Sequence, residues 1–223
     1  MRALWLVTIA ALMCARTAAT SPTGKVVAKA GAEDPRGPAM MASVPADALS
    51  FLGIDLVALR GSPALTAALT RLVHALDLGD RADLIGAAAS LVIAGVPGVR
   101  ASTMIDRAPT ARDAVAFGAI WLDANAQRKL AGILPDLGAV QWIAGTLERS
   151  SSGFSLAGSA AFADPYVAAR IAVAIAMGRK LVTSQLPATV AIAADKIAVT
   201  AMGAQVRISA TWSEADLAAL ASL

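Results

Sequence analysis

From Ser50 onward the chain alternates short apolar runs rich in Val, Ile, Phe and Trp with Ala-rich stretches whose apolar residues recur at helical spacing. The first run, Ser50 to Leu56, predicts a strand. The turn Arg60-Gly61-Ser62-Pro63 follows, then a helix from Pro63 to about Leu78, with Ser62 as its N-cap and Pro63 at its first position. Leu65, Leu69, Leu72, Val73 and Leu76 share one face of that helix. Ala87 to Val96 predicts a second strand, closed by Pro97-Gly98, and Ala114 to Leu122 a third. Asp123 is placed to cap a helix from Ala124 to Leu134. Val140 to Arg149 and Phe154 to Phe162 form a hairpin turned by Ser150-Ser151-Ser152-Gly153. Asp164-Pro165 opens a long apolar helix, bent near Gly178 and finished by Pro187, and a short helical segment runs from Pro187 to Ala194. A second hairpin joins Lys196–Ala201 to Gln205–Trp212 around Met202-Gly203-Ala204, and Ser213 caps a last helix from Glu214 to Ser222.

This order predicts an α+β domain of two layers, a mostly antiparallel sheet with helices gathered on one face. The opening order of strand, helix, strand, strand, helix, strand matches a ferredoxin-like or split βαβ unit. The later part repeats itself at an offset of fifty positions: Gly153 aligns with Gly203, Leu156 with Val206, Ala160 with Ala210, Phe162 with Trp212, Asp164 with Glu214 and Val167 with Leu217. The matched residues are apolar, turn-forming or helix-starting, so the repeat describes a hairpin-helix framework rather than a reactive centre. A looser unit of strand, acid and helix groups Asp55 and Asp123 with Asp164 and with Glu214 or Asp216.

The amino end has another character. Arg2 precedes an apolar run from Ala3 to Ala15, with small residues at Thr17, Ala18 and Ala19, which predicts a signal peptide over residues 1–19 cleaved before Thr20. Cys14 raises the alternative of a lipid anchor, but Met13 stands where a lipidated cysteine ordinarily follows a small residue. Residues 20–43, rich in Gly, Pro, Lys and Ala, read as a flexible linker, and 44–223 as a single domain. Cleavage removes the chain's one cysteine, leaving no disulfide or thiol chemistry.

Composition then narrows the partners. The pI of about 9.4 suggests a basic protein. Loss of Arg2 and Arg16 leaves 17 basic against 16 acidic side chains, a balance with no electrostatic footprint for nucleic acid. Mean hydropathy is +0.64 with 57% hydrophobic residues, yet the longest uncharged stretch, Leu84 to Val99, is broken by Gly86, Gly95, Pro97 and Gly98. No transmembrane span is expected beyond the signal.

Candidate chemistry is sparse. His74 is the lone histidine, which excludes a His-rich metal site or a zincin helix. Neither Gly-x-Ser-x-Gly nor Ser-x-x-Lys occurs in residues 20–223. Gly24-Lys25 lacks the remainder of a phosphate-binding loop, and Asp77, Asp80 and Asp83 lack the remainder of a calcium loop. Asp55, Asp123, Asp164 and Glu214 sit where helix-start residues belong, and Trp121, Trp142 and Trp212 where strand packing needs aromatics. No catalytic set, metal site or cofactor is therefore predicted. The candidate ligand site is the long polar loop Val99 to Asp113, in which Arg100, Arg107 and Arg112 are suited to carboxylate or phosphate groups, with Asp106 and Asp113 alongside to neutralise two of them.

Val44-Pro45-Ala46-Asp47-Ala48-Leu49, followed by Gly53-Ile54-Asp55 and Ser62-Pro63, resembles the opening of secreted or lipid-anchored bacterial proteins of unknown function. The hairpin and helix from Gly153 to Ile171 fit the same group. The resemblance implies an exported α+β domain and carries no catalytic residues. The expectation is a periplasmic or extracellular, non-enzymatic domain binding an envelope protein or small ligand. The alternatives are a carboxylate-based hydrolase or isomerase and a lipid or apolar-ligand carrier.

Overall fold

In the computed structural model, which describes residues 25–29, 50–66, 90–94, 114–132 and 134–221, the apolar runs become strands of one sheet. These strands are β1 (Lys25–Lys29), β2 (Ser50–Asp55), β3 (Ser90–Ala94), β4 (Ala114–Trp121), β5 (Val140–Ser150), β6 (Gly153–Phe162), β7 (Ala198–Met202) and β8 (Gln205–Trp212). Their order across the sheet is β1-β3-β2-β4-β5-β6-β8-β7, and every described pairing is antiparallel. The helices are α1 (Leu56–Arg60), α2 (Ala124–Ala131), α3 (Pro165–Thr183), α4 (Ala188–Asp195) and α5 (Glu214–Ala221), with a 3-10 turn at Pro135–Ala139. The chain is thus α+β.

Two expectations change. A split βαβ unit would set β2 and β4 parallel, whereas they pair antiparallel, with Leu52 opposite Gly118. The cause lies upstream: β3 pairs directly with β2, so β3 and β4 flank β2 and run the same way. The second change concerns the stretch read as a linker, five residues of which, Lys25–Lys29, form edge strand β1. The β-branched pair Val26-Val27 favours that conformation.

The elements are set by local chemistry. Asp55, Asp123 and Asp164 each accept a backbone N–H in the first turn of the helix that follows, from Ala58 at 2.9 Å, Ala126 at 2.7 Å and Tyr166 at 2.8 Å. Each such cap is worth about 1 kcal/mol. The β5–β6 turn closes on Gly153, whose φ of +140° only glycine holds without strain, and a Cβ there would lie 2.1 Å from the Trp212 carbonyl oxygen.

Among the described residues, apolar packing forms two clusters at opposite ends of the sheet. At one end Ile54, Leu56, Leu59, Val115, Phe154, Ala210, Trp212 and Leu217 close over one another, and the Trp212 indole N–H donates to the Ala193 carbonyl at 2.8 Å. At the other, Ile120, Leu122, Val140, Phe162 and Val206 pack against Ala168 and Ile171 of α3. Trp142 and Trp212 are buried, as strand aromatics should be. In the β6–β8 register Gly158 lies opposite Ile208, and Phe154 opposite Trp212.

Candidate functional site

The densest described grouping of polar side chains sits at the start of α5. Ser213 and Asp216 form a reciprocal cap, in which the Ser213 N–H and Oγ–H both donate to Asp216 Oδ2 at 2.7 Å while the Asp216 N–H donates to Ser213 Oγ at 3.2 Å. Lys196, just past the end of α4, donates to the same Oδ2 at 2.6 Å. These bonds hold the Asp216 carboxyl at about 2, below its ordinary 3.8: the hydrogen bond from Lys196 contributes most, then that from the Ser213 hydroxyl, against the cost of burial.

One residue on, Glu214 turns the other way. Its Oε1 accepts from the Ser62 hydroxyl at 2.5 Å and, more weakly, from the Ala64 N–H at 3.4 Å. Ser62 in turn accepts from the Leu65 N–H at 3.2 Å, so it caps the helical turn over residues 63–66, the role its place before Pro63 predicts. Arg149 completes the surroundings, its guanidinium 6.0 Å from the Phe154 ring centre and close to Gly61.

What the arrangement can do chemically follows from exposure and protonation. Ser62 has no exposed surface, so a substrate carbonyl cannot reach its oxygen. Ser213 is exposed, but the carboxylate beside it titrates near 2 and is a poor proton acceptor at neutral pH, where a general base should titrate close to the working pH. The grouping serves as a clamp tying the segment after α1, the end of α4 and the start of α5 together across the Trp212 cluster.

A second junction forms at α3. Arg179 donates to the carbonyl of Asp195 at 3.1 Å and to that of Ile197, fixing α3 to the entry of β7. Arg170 bridges Asp136 and lies over the Tyr166 ring. Among the exposed residues of α3, Tyr166, Val173, Met177 and Leu181 recur at helical spacing and are more than half exposed, with Arg170 and Lys180 beside them, and Ile192 of α4 is also more than half exposed.

The residues singled out in the sequence as a ligand site, Arg100, Asp106, Arg107 and Arg112, lie outside the described residues, as does His74. Among the described residues no group of three His, Cys, Asp or Glu side chains is placed to hold a metal ion, and no helix is long and apolar enough to cross a membrane. Asp55, Asp123 and Asp164 are helix caps and do not converge. The Ser213–Asp216 cap is visible in the sequence as Ser-x-x-Asp before an apolar helix. The Ser62–Glu214 bond joins residues 152 positions apart and has no local signal. No family model, curated protein or solved structure matches the chain.

Proposed function

We propose that this is an exported, non-enzymatic envelope domain, delivered by a signal peptide over residues 1–19, that binds a partner protein or small ligand. The observation that carries the binding reading is the exposed apolar row Val173, Met177 and Leu181 on α3, continued past Arg170 by Tyr166, on the side of the helix turned away from the sheet. Scattered exposed apolar residues are ordinary, but three large ones at successive turns of one helix match the anchors of a contact surface. The non-enzymatic reading is supported by the clamp at α5, whose hydroxyls and carboxylates are engaged in capping. The reading of β5–β6–α3 and β7–β8–α5 as two copies of one unit is supported by the strand register, in which Gly158 pairs with the residue fifty positions on, Ile208.

The test is capture from a solubilised envelope fraction by three immobilised proteins: the wild type, a Val173→Ser, Met177→Ser, Leu181→Ser variant, and an Arg100→Ala, Arg107→Ala, Arg112→Ala variant. Loss of one captured species with the first variant alone places binding on the α3 row. Loss with the second alone places it on the polar loop. Equal recovery by all three proteins refutes binding at either surface.

A further inference from the structure

The two edges of the sheet are built differently. Strand β1 at one edge has the sequence Lys-Val-Val-Ala-Lys, with a lysine at either end, and lysine on an edge strand is a common guard against unwanted pairing. Strand β7 at the other edge reads Ala-Val-Thr-Ala-Met, with no charge and no proline, and four of its five residues are exposed. Its inner side is bonded to β8, so alternate backbone N–H and C=O groups point outward along an open, unguarded edge.

We propose that this edge is where a second copy of the chain adds, β7 against β7 about a two-fold axis at Thr200, to make a dimer with a continuous sheet. The sequence of β7 is complementary to itself in that register. Thr200 meets its own copy, a favourable cross-strand pair. Val199 lies opposite Ala201 on the side of the helices, and Ala198 opposite the half-exposed Met202 on the other, so each large residue meets a small one. Charge does not oppose the pairing. Arg207, opposite Thr200 on β8, lies three strand spacings from its copy, about 14 Å, beyond the screening length of physiological salt.

The helical layer leaves room for the partner. α3 packs mainly over β7 and less over β8, so a two-fold at the edge brings α3 beside its own copy. Ala201, on the helix side of β7, is exposed in the single chain, so the space above the edge is open. A short peptide strand could satisfy the backbone groups but would bring no second helix to that space, which favours a copy of the whole chain.

Sedimentation equilibrium of the full chain over a wide concentration range tests this, together with two variants. The wild type is expected to dimerise. Thr200→Lys, which sets two like charges face to face, is expected to weaken the dimer about tenfold or more, with an unchanged circular dichroism spectrum. In a Cys14→Ser background, Thr200→Cys is expected to form a covalent dimer on mild oxidation, since directly opposed residues fall within disulfide reach. A wild type that stays monomeric throughout overturns the proposal. So does a folded Thr200→Lys protein that dimerises as well as the wild type. If Thr200→Lys does not fold, the cross-link decides: failure of Thr200→Cys to couple in a sample that sediments as a dimer places the interface elsewhere.

Discussion

Replacing Asp216 with Asn keeps an oxygen able to accept from Ser213 and removes the charge that Lys196 binds. In the folded chain the carboxyl titrates at about 2 instead of 3.8. Taken at roughly 1.4 kcal/mol per pH unit, that shift sets an upper bound a little over 2 kcal/mol on its contribution to stability. The Lys196 side chain is 41% exposed, so water and salt screen its share. About 1 kcal/mol is the expected loss at neutral pH. Because the folded-state value lies below the unfolded one, this stability is fully present above 3.8 and disappears as pH falls through about 2. Urea unfolding followed by circular dichroism, for wild type and Asp216→Asn at steps from neutral pH down to about 2.5, measures the gap directly. The gap should narrow below pH 4 and should also shrink at neutral pH when salt is raised. A gap of the same size at every pH would show that packing, not charge, sets the contribution of Asp216. No gap at neutral pH would show that the clamp does not stabilise the fold.

Two other substitutions probe the sheet. Gly153→Ala forces a side chain into a positive-φ position and against the Trp212 carbonyl, so a loss of about 2 kcal/mol or more is expected in chemical denaturation. A loss within experimental error would mean that the turn relaxes freely. Thr146 is buried at 2% exposure and its hydroxyl has no hydrogen-bond partner among the described residues. Thr146→Val should therefore raise stability by about 1 kcal/mol, read as a higher unfolding midpoint, and a lowered midpoint would show that the hydroxyl is in fact bonded.

The parts of the fold legible in the sequence are those whose causes lie within a few residues. The caps at Asp123 and Asp164 act on N–H groups two or three positions away, and the Ser150–Gly153 turn joins strands adjacent in the chain. Helix α1 was not anticipated, since Leu56 continues the apolar run of β2 and the helix spans only Leu56–Arg60. Its start is nonetheless marked by Asp55, grouped with the other helix-start acids on sequence alone. The fifty-residue alignment is imperfect at the helices: Asp164 caps α3, but its aligned partner Glu214 lies inside α5, where Ser213 is the cap and Glu214 reaches for Ser62. Strand direction was the least legible feature. Whether β2 and β4 run parallel is decided by β3 pairing with β2, and no residue within either strand records it. The clamp around Ser62 and Glu214 shares that difficulty, because a hydrogen bond between distant segments leaves no spacing to read.

The pairing of Gly158 with Ile208 makes the centre of the β6–β8 ladder a point of inversion. On either side of it, positions fifty apart move away from each other along opposite strands, so Phe162 anchors the cluster at one end of the sheet and Trp212 the cluster at the other. Sequence likeness therefore maps onto antipodes. The two apolar centres share the same strands but engage different helices, α4 and α5 at one end and α2 and α3 at the other.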